Sequence, residues 1–180
     1  MHGCVCLFTD ELPSMEEISE LMIPYSEWNE DLDWEASEFT LDSWSLGGRY
    51  AGDILAKVSS IHKTENCTSY EVKEVVDVEV ISRLFNTLKP MYKTEPISMG
   101  WVMEHNVFGY IMNREDGSIR VDGAKIRAIT NRDDLVCYIF MDKDVAFCRD
   151  KHEDFNDLFN EMFDKYYEKD GFLTVLDIHF

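Results

Sequence analysis

The sequence predicts an α+β fold, in which a mostly antiparallel sheet carries about three packed helices. Two observations lead to this prediction: candidate strands occur singly and in hairpins, and three segments with helical signals lie between them. A chain of 180 residues has the usual length of one domain, and its 45% of hydrophobic residues can form a core. We therefore expect a single domain over residues 1–180.

The chain begins with a predicted strand and a short helix. Residues 3–9 form a continuous apolar run, which is typical of a buried strand. Ser14 and Glu17 have the spacing of a capping box, so we expect a helix to begin there. Pro24 ends that helix because proline cannot continue the backbone hydrogen bonding.

In the middle of the chain, the elements are predicted from the alternation of side chains along the sequence and from the positions of glycine and proline. The predictions here are strands over 39–46 and 50–61, a polar loop over 62–69, a helix over 77–88 ended by Pro90, and a loop over 90–100. Asp116-Gly117 lies between two apolar runs, 107–112 and 119–121, and this dipeptide favours the tight turn of a hairpin.

The last third of the chain has the clearest helical pattern. Apolar residues recur at i, i+3, i+4, i+7, i+8, i+11 and i+12 from Phe155, which predicts an amphipathic helix over residues 152–169. Strands are expected on both sides of this helix, over residues 135–141 and 172–180.

Acidic residues outnumber basic residues by 36 to 17, which gives a net charge of −19. Residues 1–48 contain 12 acidic residues and no lysine or arginine, and residues 142–170 contain ten acidic and five basic residues. This charge repels nucleic acid and anionic membranes, so neither is expected as a direct partner. The negative charge can serve one of two roles: it keeps the protein soluble, or it steers the protein toward a basic surface of a partner.

Residues 25–42, called the acidic segment below, combine this charge with aromatic side chains. A segment that only solvates a protein has few aromatics, so either they anchor a partner or they pin the segment to the core. The candidate partner-binding residues are the acids and tryptophans of this segment and three acids of the last helix. They are Glu27, Trp28, Glu30, Asp31, Asp33, Trp34, Glu35, Glu38, Asp154, Asp157 and Glu161.

Gly47-Gly48-Arg49 is the most unusual sequence in the chain, since Arg49 is the first basic residue. Two glycines permit a close backbone approach, and an arginine can bind an anion in two-point fashion. One interpretation is an anion-binding turn; the other is that the Arg49 guanidinium pairs with a carboxylate of this chain. On the last strand, Asp177 and His179 share a face and have the residue types of an acid–base pair.

The five cysteines, in a chain without a visible signal peptide, indicate reduced thiols in the cytoplasm. Cys4 and Cys6 share a strand face with His2, but zinc sites usually have C-x2-C spacing. We interpret both as buried core residues and expect neither a metal nor a cofactor. No H-E-x-x-H or G-x-S-x-G motif occurs, which favours a non-enzymatic protein.

Four sequences together resemble a loosely defined group of small bacteriophage and prophage proteins. These are Leu21-Met22-Ile23-Pro24-Tyr25, Asp42-Ser43-Trp44-Ser45-Leu46-Gly47-Gly48-Arg49-Tyr50, Met99-Gly100-Trp101 and Val175-Leu176-Asp177-Ile178-His179-Phe180. The group carries a D-W-x-x-G-G-R-W sequence and a terminal V-D-x-H-[IF]. Here Tyr50 stands where the group usually has tryptophan, and Ser43 separates Asp42 from Trp44. The resemblance implies a phage or mobile-element origin and no specific chemistry.

Two functional hypotheses follow. The first is a non-enzymatic acidic protein in the host cytoplasm that binds a basic surface of a host protein, such as a nucleic-acid-binding enzyme. Inhibitors of host defence nucleases, anti-CRISPR proteins and DNA mimics work in this way. The alternative is a protein that binds or hydrolyses a small ligand or nucleotide. Its site would use Gly47, Gly48, Arg49, Asp177 and His179.

Overall fold

The computed structural model describes residues 1–64, 67–72 and 118–180. Its strands are β1 (His2–Thr9), β2 (Ser43–Leu46), β3 (Ile54–Thr64), β4 (Cys67–Val72), β5 (Ser118–Val121), β6 (Gly123–Lys125), β7 (Ile139–Met141), β8 (Ala146–Cys148) and β9 (Phe172–His179). The α-helices of these ranges are α1 (Met15–Met22) and α2 (Phe155–Glu168). The α+β class is therefore confirmed. The predicted helix over 77–88, the loop over 90–100 and the Asp116-Gly117 turn lie outside the described residues.

The main sheet has the order β2-β9-β1-β7-β8, and β6 pairs with β9 as well. Among the described strands, β1 and β7 run parallel, with Val5 opposite Ile139, while the other pairs of this sheet are antiparallel. The described strands are therefore mostly antiparallel, as expected, with β1–β7 as a parallel pair. Apolar runs predict that strands are buried, but they carry no information on strand direction.

β1 lies at the centre of the sheet and pairs with β9 along its whole length. The register runs from His2 opposite His179 to Thr9 opposite Phe172. β2 pairs with the last residues of β9 and β6 with its first residues, so two short strands share the outer edge of β9. Directly paired residues point to the same face. This register therefore brings the polar residues at the start of β1 beside those at the end of β9.

The two α-helices of the described ranges pack as their sequences predict, although α2 begins at Phe155 rather than at residue 152. At α1 the Ser14 backbone N–H donates to Glu17 Oε2 at 2.7 Å, and the Glu17 N–H donates to Ser14 Oγ at 3.2 Å, which completes the capping box. α2 buries its apolar stripe against the sheet, where Phe8 contacts the rings of Phe159 and Phe163 at 5.8 and 6.3 Å between centroids. Aromatic edge contacts of this kind fix the helix on the sheet.

A second sheet has the order β4-β3-β5. The loop predicted over residues 62–69 is wrong, because β3 continues to Thr64 and β4 begins at Cys67. An antiparallel ladder requires only backbone N–H and C=O groups, so a polar sequence can extend it. The strand predicted over 135–141 is reduced to β7, and β6 and β8 are too short to show a periodic pattern. None of the helices in the described ranges is both long and apolar enough to cross a bilayer.

Candidate functional site

The acidic segment is an ordered loop whose two ends are fastened to the core. Tyr25 and Phe39 stack at 4.3 Å between ring centroids, and Phe39 is buried. Within the loop, Asp33 Oδ1 accepts the backbone N–H groups of Glu35 and Ala36 at 3.1 and 3.2 Å. Tyr25 and Phe39 thus pin the segment to the core, and Asp33 stabilises its central turn.

The two tryptophans of the segment have the opposite environment. Trp28 is 78% exposed and Trp34 is 59% exposed. The carboxylates beside them are exposed and form no ion pair with any described residue. These are Glu27, Glu30, Asp31 and Glu35. The segment thus presents two large aromatic side chains to solvent among negative charges.

Glu38 differs from Glu27, Glu30, Asp31 and Glu35 because its carboxylate has partners within the chain. Its Oε2 lies 3.0 Å from His152 Nε2 and accepts the Cys148 backbone N–H at 3.1 Å. Lys151 Nζ donates to the Ser37 carbonyl nearby. These contacts hold the end of the acidic segment against the residues that lead into α2, so Glu38 has a structural role.

The acids of α2 lie on its solvent side. Asp154, Asp157 and Glu161 are exposed, whereas Phe155 and Phe159 are buried against the sheet. Since residues 148–152 contact the acidic segment and α2 begins at Phe155, the second block of negative charge starts close to the first.

A shallow groove of about 330 Å³ runs beside Trp34. Tyr138 and Phe180 line it, with their rings in an edge contact at 5.9 Å. The charged residues of the groove are Glu38, Asp150 and Lys151. Trp34 is thus next to an aromatic surface rather than isolated in solvent.

The Gly-Gly-Arg turn does bind anions, but those that occupy it are carboxylates of this chain. Gly47 and Gly48 have φ values of +66° and +51°, which favour glycine. A Cβ on Gly47 would lie 2.7 Å from Asp122 Cγ, and one on Gly48 would overlap Asp177. The Arg49 backbone N–H donates to Asp177 Oδ2 at 2.9 Å.

The predicted ion pair of the Arg49 guanidinium with a carboxylate of this chain is not found among the described residues. The side chain is exposed, and within the described residues no carboxylate pairs with it. The backbone N–H of Arg49 has the role that we expected of the guanidinium, because the tight turn brings the main chain, and not the side chain, against Asp177.

Asp177 and His179 are not partners of each other; each belongs to a separate pair. His2 Nδ1 lies 2.9 Å from Asp177 Oδ1, and His179 Nδ1 lies 2.6 Å from Asp42 Oδ2. The two imidazole rings meet edge to face at 4.8 Å between centroids. We call His2, Asp42, Asp177 and His179 the histidine–aspartate cluster. The hydrogen bond from His179 lowers the pKa of the Asp42 carboxyl.

Two members of this cluster were not among the ligand residues predicted from sequence. His2 was expected to share a strand face with Cys4 and Cys6, while Asp42 stood out only as part of the sequence that resembles phage proteins. Both join the site through the pairing of distant strands, since β9 has β1 on one side and β2 on the other.

Asp122 is a buried carboxylate behind the turn. Its Oδ1 accepts the Gly52 backbone N–H, while its Oδ2 is buried with no hydrogen-bond partner. Burial raises the pKa of this carboxyl to about 6, and the nearby Asp53 carboxylate adds to the shift. The sequence gives no sign of this environment, because Asp122 is one of many aspartates.

Four cysteines, at positions 4, 6, 137 and 148, are buried core side chains with free thiols. Cys4 and Cys6 are buried, as predicted, and their mutual hydrogen bond and their burial raise the pKa of Cys4. A thiol whose pKa is raised supplies little of the thiolate that metals and electrophiles need. In the part of the chain that the structure describes, no group of three His, Cys, Asp or Glu residues is placed to hold a metal ion.

Comparisons with protein-family models, curated proteins and solved structures found no match to this chain.

Proposed function

We propose that this protein is a non-enzymatic interaction protein whose acidic segment binds a basic surface of another protein. The observation that carries the proposal is the exposure of Trp28 and Trp34 among carboxylates that have no partner in the described residues. Buried aromatic anchors supply most of the affinity at protein interfaces, and complementary charge supplies the association rate.

The contacts of Glu38 support a surface larger than the segment alone. They hold the segment against residues 148–152, and the acids of α2 follow directly. Asp154, Asp157 and Glu161 would then extend the same negative field. The groove beside Trp34 is lined by Glu38 of the segment and by Asp150 and Lys151 ahead of α2, so a partner that spans both blocks also covers this groove.

The partner class that fits this field is a protein that binds nucleic acid. Exposed carboxylates carry the same sign of charge as the phosphates that such a protein binds. Their attraction to its basic surface is therefore expected to weaken as the salt concentration rises. The resemblance to phage proteins supports a host nuclease or another defence protein as the target, with this chain as its inhibitor.

Charge reversal at three exposed positions tests the proposal. We expect Glu30→Lys, Asp31→Lys and Glu35→Lys together to abolish capture of the partner from a host lysate at low salt, and high salt to abolish capture by the unaltered protein. Asp33 is left in place because it stabilises the turn of the segment.

The matched control reverses Glu11, Glu16 and Glu20, which are exposed and lie outside the segment. Both triple variants change the net charge equally, so a general charge effect would weaken both. The proposal is wrong if the segment variant captures the same proteins as the control, or if Trp34→Ala leaves the dissociation rate of the captured partner unchanged.

The alternative function, a small-ligand site, gains support from the histidine–aspartate cluster. Gly48, Arg49 and Asp177 meet there as the alternative requires. His179 lies beside them through its contact with His2. Asp42 belongs both to this cluster and to the end of the acidic segment, so the two candidate sites adjoin each other.

A further inference from the structure

The groove beside Trp34 has aromatic walls that come from three separate parts of the chain. Trp34 belongs to the acidic segment, Tyr138 directly precedes β7, and Phe180 follows β9. The rings of Tyr138 and Phe180 meet at an angle of 81°, while Trp34 is 59% exposed and leaves the groove open to solvent. The volume of about 330 Å³ lies at the lower end for ligand pockets, so the groove suits a single side chain.

The carboxylate of Asp150 gives this groove a net negative charge. Of its three charged residues, Glu38 and Lys151 offset each other, and Lys151 Nζ is held by the Ser37 carbonyl. Asp150 is exposed and accepts from the Tyr138 hydroxyl at Oδ2. Its Oδ1 has no hydrogen-bond partner among the residues that the structure describes, so this oxygen is available to a donor from outside.

An arginine side chain is complementary to both properties of the groove. Its flat guanidinium stacks on aromatic rings, and its N–H groups bind carboxylate oxygens. A lysine ammonium is more strongly hydrated and has no flat face to place on a ring. The exposed carboxylates of the neighbouring segment, at Glu30, Asp31 and Glu35, attract a cation and repel an anion.

We propose that this groove binds one arginine side chain of the partner protein, stacked on the aromatic rings and hydrogen-bonded to Asp150 Oδ1. The inference rests on the proposed function, because it names the side chain by which the basic partner is anchored. It also adds specificity, since the charge of the acidic segment attracts any basic surface, whereas the groove selects a guanidinium.

Titration with a short blocked peptide of glycine, arginine and glycine tests the site on the unaltered protein. Nuclear magnetic resonance of the indole N–H groups distinguishes the two exposed tryptophans of the segment. We expect a saturable shift of Trp34 and little or no shift of Trp28, which does not line the groove. The same peptide with lysine should bind more weakly, and the peptide with uncharged citrulline should bind weakest.

Asp150→Asn should weaken binding of the arginine peptide by about tenfold, as expected for loss of a charged hydrogen bond. The asparagine side-chain oxygen can still accept from the Tyr138 hydroxyl, so melting should be unchanged. Asp154→Asn is the matched control, because it removes the same charge from an exposed residue outside the groove. It should bind the peptide as the unaltered protein does.

Three results would overturn the proposal. They are equal binding of the citrulline peptide, an equal shift of Trp28 and Trp34, or the same affinity for Asp150→Asn and Asp154→Asn. None of them affects capture of the partner by the acidic segment, which the triple charge reversal tests separately. Conversely, arginine binding in the groove together with unchanged capture by the charge-reversed segment would refute the proposed function alone.

Discussion

In the acidic segment, the carboxylates of Glu30, Asp31 and Glu35 lie in water without ion pairs among the described residues. Around the Gly47–Gly52 turn, Asp122 and Asp177 are buried and each accepts a backbone N–H of the turn. Gly47 and Gly48 permit this packing, because a Cβ on Gly47 would lie 2.7 Å from Asp122 Cγ and one on Gly48 would overlap Asp177. Exposed carboxylates therefore create a field for partners, while the buried ones hold a loop in place.

The buried carboxyl groups of Asp142 and Asp122 differ in the direction of their pKa shifts. Asp142 accepts from Asp144 and Val145 N–H groups and from Lys165 and Tyr166. Burial alone would raise the pKa of Asp142, but these donors, Lys165 first, lower it. Asp122 has the Gly52 N–H as its donor among the described residues and keeps a raised pKa. Burial raises the pKa of a carboxyl group, and the hydrogen-bond donors around it decide whether the net shift is upward or downward.

The largest expected effect is at the turn. Gly48→Ala should lower the free energy of unfolding by about 2–4 kcal/mol, because a Cβ would overlap Asp177 and a positive φ disfavours alanine. Urea unfolding measures the change. Gly123→Ala is the control, since its Cβ would meet Thr174 Oγ1 at 3.2 Å without the penalty of a positive φ, and it should cost clearly less. Equal costs at both positions would mean that Gly48 does not hold Asp177.

An intermediate effect is expected at Asp122, and it depends on pH. The folded pKa of about 6 lies above the ordinary value of 3.8, so the folded state binds the proton more tightly than the unfolded state. The contribution of Asp122 to the free energy of unfolding therefore falls by up to about 3 kcal/mol as the pH rises from about 4 to about 6.

Asp122→Asn should remove this dependence. Compared with the unaltered protein, the variant should gain relative stability between about pH 4 and pH 7, as measured by urea unfolding at each pH. Parallel pH profiles of the two proteins would show that Asp122 is not the buried acid responsible.

The smallest effect is expected from the same substitution in the acidic segment. Asp31→Asn should change the free energy of unfolding by no more than about ±0.5 kcal/mol at any of these pH values, because the side chain is exposed. The comparison of Asp31→Asn with Asp122→Asn thus isolates burial from residue type. A pH-dependent change at Asp31 would show that the exposed segment contributes to folding as well.

The sequence alone determined the elements with a strong local signal. The Ser14–Glu17 capping box predicted where α1 begins, and the 3.6-residue periodicity from Phe155 predicted α2. The apolar runs predicted β1 and β9 within a residue of their observed bounds. Each signal arises from hydrogen bonds or burial within a few residues, so it can be identified from the sequence without knowledge of the fold.

Only the tertiary structure decided which distant residues meet. The parallel pairing of β1 with β7, the partners of Asp42 and His2, and the burial of Asp122 join positions far apart in sequence. Arg49 shows most clearly what the sequence could not predict. Its sequence context indicated an anion site, but it did not indicate that the backbone N–H would bind Asp177 and that the guanidinium would be exposed. Such contacts depend on strand register and on close backbone approach, and neither property can be predicted from the local sequence.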